Sequence, residues 1–176
     1  MSSTFLYFAY GSNLLAKRIH LNNPTAVMKD IGYIKNFRLD FQRYSQRWCG
    51  ASATIVETKN SVVWGVVWEL DKCNLSTLDC QEGVQDNIYH VMSVNVETLN
   101  GTTLNSRVYQ QCNNPKEYIK PADLSIDRRP SPLYLDTILK GAHENNLPDD
   151  YIEFLKTIPH NGYIGEYDIS LSLIED

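Results

Sequence analysis

The sequence lacks three features that would each indicate a specialised class of protein. None of its apolar runs approaches the roughly 20 residues that a membrane-spanning helix needs. Its 16 Lys and Arg residues are outnumbered by 21 Asp and Glu and form no basic stripe, which argues against nucleic-acid binding. Residues 1–4 lack the basic and apolar regions of a signal peptide. We therefore expect a cytoplasmic protein that binds neither membranes nor nucleic acid.

The four cysteines lack the spacing of the common cysteine-based sites. No pair shows the C-x-x-C spacing, so free thiols are favoured over a disulfide framework or a metal site. The four histidines are scattered and give no ligand pattern, so we predict no metal and no cofactor. Cys80 has no basic neighbour in sequence and is expected in the core rather than as a nucleophile. The cysteines are Cys49, Cys73, Cys80 and Cys112.

The amino-acid composition is that of one ordinary globular domain, which we expect to span residues 1–176. Hydrophobic residues make up 43% and charged residues 21%, enough to bury a sizeable core. Strand patterns come first and helical patterns follow from Pro132 onward. This order predicts an α+β fold with a mostly antiparallel sheet that can close into a barrel. Strands are predicted at 5–9, 32–43, 53–56, 62–68, 89–96 and 104–109, hairpin turns at 59–61 and 100–101, an irregular loop at 113–130 and a C-terminal tail at 166–176.

The first informative segment is the octet Tyr-Phe-Ala-Tyr-Gly-Ser-Asn-Leu at residues 7–14. A short apolar strand stops at this point and a helical pattern begins. Gly11 permits a sharp bend and a close approach to the backbone, and Ser12 or Asn13 can cap the helix. The free N–H groups of such a turn suit a carboxylate or phosphate. On spacing alone, the alternative is an ordinary strand-to-helix turn.

The second informative segment is a short helix predicted over 74–83. Asn74 is its expected N-cap, and Gly83 is its expected stop. Glu82 then lies in the last turn, where the helix dipole disfavours an ionised carboxylate, and Asp79 one turn earlier adds like-charge repulsion. Both effects raise the pKa of Glu82 toward the range of a general acid or base. The alternative is a solvated surface glutamate.

Together the two segments resemble the γ-glutamylcyclotransferase family. Residues 7–14 match its substrate-binding loop Y-F-A-Y-G-S-N-L, and residues 78–84 match its L-D-x-Q-E-G-V segment. The glutamate of that second segment, Glu82 here, is the family's catalytic acid/base. The likeness covers most of residues 5–165. It implies a small β-barrel flanked by helices, no cofactor, and a homodimer, since family members are commonly dimers.

The resemblance also implies a reaction and a set of binding residues. The family converts L-γ-glutamyl amino acids into 5-oxoproline and a free amino acid, because the substrate's own α-amine attacks its γ-carbonyl. Glu82 would take a proton from the ammonium and return one to the departing nitrogen. The alternative for each tyrosine is a core or rim aromatic. The implied substrate-binding residues are Tyr7, Phe8, Ala9, Tyr10, Gly11, Ser12, Asn13, Tyr89, Tyr109 and Tyr134.

Two other functions stay open on the sequence. The same fold and glutamate could act on glutathione, γ-glutamyl-amines or isopeptides. Relatives with those substrates usually carry loops closer to Y-G-S-L or Y-G-T-L, so Asn13 favours γ-glutamyl amino acids. A binding protein that has kept the barrel and lost turnover is the third hypothesis, and the presence of Glu82 weighs against it.

Overall fold

Five strands close into a barrel in the computed structural model, which describes residues 3–168. The strand order around the barrel is β1-β3-β2-β4-β5. Neighbouring strands pair antiparallel, except that β1 meets β5 in parallel and so completes the closure. The predicted α+β class with a mostly antiparallel barrel is confirmed. The strands are β1 (Thr4–Ala9), β2 (Val27–Ser45), β3 (Gly50–Asp71), β4 (Tyr89–Thr98) and β5 (Thr103–Gln111).

The two longest strands, β2 and β3, form one hairpin where the sequence predicted several shorter strands. The predicted turn at 59–61 is wrong, because these residues lie inside β3 and the chain reverses at 46–49. Asn36 and Asn60 adopt positive φ angles of 63° and 65° beside a register shift between Lys35 and Phe37. The backbone N–H of Asn60 donates to Asn36 Oδ1 at 3.1 Å. Residues 58–61 therefore form a bulge opposite Asn36, and the β2–β3 pairing resumes on both sides of it.

Four α-helices accompany the barrel in the described part of the chain. The helical region predicted from Pro132 onward is present as two helices, and the tight β4–β5 hairpin at 100–101 is present with Gly101 at φ 84°. None of these helices is long and apolar enough to cross a membrane. The helices are α1 (Ala16–His20), α2 (Leu75–Gln81), α3 (Pro132–Glu144) and α4 (Asp149–Lys156).

One hydrophobic core extends from the barrel to α3 and α4. Its fully buried side chains include Phe8, Ile55, Val66, Ile138 and Leu155. Burying side chains of this size from both the strands and the helices is the main stabilising contribution to such a fold. Residues 113–130 contain two short 3₁₀ turns and otherwise neither helix nor strand. Of the tail expected at 166–176, residues 169–176 lie outside the described part of the chain.

Helix α3 positions the segment that follows β1. Gly141 lets the two pack closely, because a Cβ there would lie 2.5 Å from the Leu14 Cβ. Asn145 Nδ2 donates to the Leu14 carbonyl at 2.8 Å, and Glu144 Oε2 accepts from the Ala16 N–H at 2.9 Å. A helix far along the chain therefore holds the turn at residues 10–15 in place.

Candidate active site

Two adjoining cavities lie where the turn after β1 meets the end of α2. The inner cavity has a volume of about 50 Å³ and the outer one about 560 Å³. Ser12, Glu82, Tyr89 and Tyr134 line both, so the two cavities meet at these four residues. A third cavity of about 480 Å³ beside the 113–130 segment shares no lining residue with them. The inner cavity is lined by Tyr7, Tyr10, Gly11, Ser12, Asn13, Ala53, Glu82, Tyr89, Tyr109 and Tyr134.

The structure thus brings Glu82 together with eight of the ten substrate-binding residues that the resemblance implies. Phe8 and Ala9 are the exceptions, because both are fully buried and line neither cavity. The Phe8 ring packs against Gly65, where an added Cβ would lie 2.7 Å from it. Ala53 also lines the inner cavity and was not among the predicted site residues.

The turn at residues 10–13 differs locally from the expected strand-to-helix cap. A 3₁₀ turn over Ser12–Leu14 comes first, and α1 begins at Ala16 without any side-chain cap, so neither Ser12 nor Asn13 caps it. Asn13 Nδ2 instead donates to the Tyr7 hydroxyl at 3.1 Å. The backbone N–H groups of Gly11, Ser12 and Asn13 have no acceptor among residues 3–168. They remain available to an anionic group of a ligand.

Gly11 also keeps space open beside the Tyr134 hydroxyl. A Cβ at Gly11 would lie 3.3 Å from that oxygen and 3.5 Å from the Ala53 Cβ. A side chain there would therefore crowd the hydroxyl and narrow the inner cavity.

Glu82 is placed by the end of α2. Its N–H donates to the Leu78 carbonyl at 3.0 Å, and the chain then turns at Gly83, whose φ is 65°. A Cβ at Gly83 would lie 2.7 Å from Ile88 Cδ1, so this stop requires glycine, as predicted. Asn74 occupies the N-cap position without a side-chain cap, because its Oδ1 accepts from the Thr25 hydroxyl instead.

The pKa of Glu82 is raised to about 7. Burial is the largest cause, since the carboxylate loses hydration, and Asp79 adds repulsion that raises the pKa further. Arg18 and Arg47 act in the opposite direction and lower it. The sequence predicted the direction and the role of Asp79 but not the dominant effect of burial. The Glu82 carboxyl makes no hydrogen bond to any described residue, which leaves both its oxygens available to a ligand.

Asp79 is itself fixed by a short polar network outside the cavities. Arg107 Nη2 donates to its two carboxylate oxygens at 2.7 and 2.8 Å, and the Tyr109 hydroxyl donates to Oδ1. Arg107 Nε donates to the Tyr109 oxygen at 3.0 Å. The network anchors Tyr109 in the cavity wall and holds a negative charge behind Glu82.

Three of the five tyrosines that line the inner cavity already donate their hydroxyl proton to the protein. Tyr10 donates to the Tyr109 carbonyl, Tyr89 to the Ala53 carbonyl at 2.6 Å, and Tyr109 to Asp79. Burial raises the pKa of all three phenols, that of Tyr89 to about 12, so they stay protonated at neutral pH. These side chains shape the cavity and have no proton left to donate to a ligand.

Tyr7 and Tyr134 differ in this respect. The Tyr7 oxygen accepts from Asn13, and the Tyr134 oxygen accepts from the Ala53 N–H at 3.0 Å. Neither hydroxyl has an acceptor for its own proton within residues 3–168. Because burial raises the pKa of both phenols, each retains that proton. They are the two phenols of the inner cavity that can donate a hydrogen bond to a ligand.

The outer cavity contains residues that sequence analysis did not assign to a site. Arg18, Arg43 and Arg47 line it, spread over 30 residues of sequence with no motif to connect them. Cys80 also lines it and is exposed, so the expectation of a core cysteine is wrong. Within residues 3–168, no group of three His, Cys, Asp or Glu side chains is placed to hold a metal ion.

Known proteins are similar to this chain at two levels, that of a broad family and that of individual relatives. The sequence profile described as "AIG2-like family" matches residues 62–155, which defines the class of protein. Gamma-glutamylcyclotransferase from Mus musculus is 44% identical over 167 residues, which cover 93% of this chain and 83% of that protein. The Homo sapiens protein of the same name is 43% identical over the same shares. A solved structure of a gamma-glutamyl cyclotransferase superposes with a TM-score of 0.88 at 41% identity, covering 98% of both chains.

The chain belongs to the γ-glutamylcyclotransferase family. The resemblance seen in the two sequence segments is confirmed over nearly the whole chain.

Proposed function

We propose that the protein catalyses the cyclisation of L-γ-glutamyl amino acids to 5-oxoproline with release of the free amino acid. The observation that carries this proposal is the Glu82 carboxyl, which is unpaired, half-buried, raised in pKa to about 7, and shared by the inner and outer cavities. A carboxyl in this position faces both ends of a substrate that spans the two cavities. The family's relatives carry the name of this activity.

The glutamyl end of the substrate occupies the inner cavity in this proposal. Its α-carboxylate accepts hydrogen bonds from the free N–H groups of Gly11, Ser12 and Asn13. The hydroxyls of Tyr7 and Tyr134 supply the remaining donors, one of them to the γ-carbonyl oxygen as negative charge develops there. Holding the chain folded brings the α-amine to the γ-carbonyl, and this intramolecular arrangement contributes a large part of the rate.

Glu82 moves the proton. In its ionised form it accepts a proton from the α-ammonium, and the freed amine attacks the γ-carbonyl to form the lactam C–N bond. Glu82 then donates this proton to the leaving nitrogen as the original amide C–N bond breaks. The second proton, which the attacking nitrogen loses as it becomes the lactam amide, passes through Glu82 to the freed amine in the same way. The amino acid therefore leaves as its ammonium form, no water is consumed and Glu82 returns to its ionised starting state. A pKa near 7 suits both transfers because neither protonation state is strongly disfavoured at neutral pH.

Release of 5-oxoproline is the direct test. Purified protein is offered γ-glutamyl-alanine, glutathione and ε-(γ-glutamyl)-lysine separately, and 5-oxoproline is quantified for each. We expect γ-glutamyl-alanine to react fastest, and Glu82→Gln to lower kcat by at least ~10³-fold, because general acid–base catalysis contributes about 10²–10⁴-fold. Product from none of the three compounds contradicts the proposal. A Glu82→Gln variant with the parental rate contradicts the role of Glu82.

The resemblance further implies a cytoplasmic homodimer formed from single-domain chains, and we retain this as part of the proposal. Light scattering of the purified protein gives the mass in solution, which is compared with 20.2 kDa for one chain.

A further inference from the structure

Three arginines of the outer cavity have no ion-pair partner. The guanidinium groups of Arg18, Arg43 and Arg47 make no hydrogen bond or salt bridge to any described residue. Elsewhere in the fold, other arginines are paired with carboxylates, as Arg107 is with Asp79 and Arg128 with Asp40. The outer cavity therefore contains three guanidinium groups without a direct partner, against two lining carboxylates, those of Glu82 and Asp86.

Arg18 is the unusual member of the three, because it is buried. Only 4% of the residue is exposed, its Nε is shielded from solvent without a partner, and its guanidinium lies over the Trp48 ring at 5.6 Å. An unpaired buried cation is costly, and burial accordingly lowers the pKa of Arg18. Glu82 attracts it without coming within salt-bridge distance. An anion arriving in the outer cavity would recover much of this cost.

The proposed reaction determines which anion arrives. The leaving nitrogen must lie within reach of Glu82, which stands at the boundary of the two cavities. In a γ-glutamyl α-amino acid, a carboxylate is attached one carbon beyond that nitrogen, and it extends into the outer cavity. Arg and carboxylate form strong charge-assisted hydrogen bonds.

We infer that Arg18 binds the carboxylate of the leaving amino acid and thereby selects substrates with a free carboxylate next to the scissile amide. This inference rests on the proposed function and adds to it a residue that determines substrate specificity. γ-Glutamyl-amines lack this group, in glutathione it is part of a peptide bond, and in an ε-linked lysine it lies several carbons farther away. All three are expected to be poorer ligands for the same reason.

The test compares γ-glutamyl-alanine with γ-glutamyl-alaninamide, which has the same shape without the negative charge. We expect the parental protein to prefer the acid in kcat/KM by ~10- to 100-fold, the range of a hydrogen bond to a charged group. Arg18→Met is expected to lower kcat/KM for the acid by that factor and to leave the acid-to-amide ratio near one. Arg18→Lys is expected to retain part of the preference. Lys17→Met, an exposed neighbour outside both cavities, is the matched charge-loss control.

If Arg18 acts only structurally or through Glu82, Arg18→Met lowers kcat/KM for the acid and the amide equally. The acid-to-amide ratio then stays at its parental value, and this result would overturn the inference. Calorimetry then gives the affinities for the acid and the amide in two proteins, Glu82→Gln and the double variant Glu82→Gln/Arg18→Met. The ratio of the two affinities is compared between these proteins. This second measurement does not depend on turnover. If the parental protein releases no 5-oxoproline but prefers the acid through Arg18, the proposed function fails and the carboxylate site stands. If the acid and the amide bind with equal affinity both with and without Arg18→Met, the carboxylate site is refuted and the proposed function is not affected.

Discussion

Lowering the pH is the perturbation that most directly tests the environment of Glu82. The base must be ionised, and its pKa is about 7, so half of the free enzyme is competent at pH 7. At pH 5 the ionised fraction is about one hundredth, whereas an unperturbed glutamate with a pKa near 4.3 would still be about four-fifths ionised. We therefore expect kcat/KM at pH 5 to be roughly 1% of its value on the alkaline plateau.

The assay measures kcat/KM for γ-glutamyl-alanine by 5-oxoproline release between pH 4.5 and 9 at constant ionic strength. We expect kcat/KM to fall on the acidic side with a midpoint near pH 7. The substrate carboxylates titrate well below this pH and the substrate ammonium well above it, so the midpoint gives the pKa of Glu82. Recovery of full activity after return from pH 5 to pH 7.5 is the control for acid unfolding. A profile that stays flat to pH 5, or a midpoint near 4.3, would refute the conclusion that burial governs this carboxyl.

Three further perturbations follow from the same geometry. Replacing Arg47 by Gln removes a charge that lowers the pKa of Glu82, so the acidic midpoint should rise, and an unchanged or lower midpoint contradicts this. Tyr134→Phe should lower kcat/KM by ~5- to 10-fold through loss of a donor, whereas an unchanged rate removes Tyr134 from the reaction. Gly83→Ala forces a side chain into φ 65° against Ile88, and urea unfolding should show a loss of about 1–3 kcal/mol; parental stability would mean that the turn tolerates a Cβ.

The local sequence errors share one physical cause. Residues 59–61 have turn-forming composition, yet Glu57 and Val62 on either side of them pair with β2. Residues 58–61 therefore stay within β3 and form a bulge opposite Asn36. Cys80 was assigned to the core because no basic residue adjoins it in sequence, whereas it faces a cavity lined by three arginines. In each case contacts from distant parts of the chain outweighed the local pattern.

The sequence by itself determined the family, the barrel class and the two segments that meet in the site. These properties reside in short contiguous stretches, residues 7–14 and 78–84, whose residue types and order are sufficient to identify them. Gly83 belongs here as well, because a helix stop is a local requirement of the backbone.

Only the tertiary structure decided how those residues can act. Loss of hydration raises the pKa of Glu82. Acceptors distant in sequence take the hydroxyl protons of Tyr89 and Tyr109, and Arg18 is buried without a hydrogen-bond partner for its Nε. Hydration, hydrogen-bond pairing and charge compensation depend on which atoms lie within a few ångströms of one another. Those neighbours come from positions up to about a hundred residues apart, and only folding brings them together.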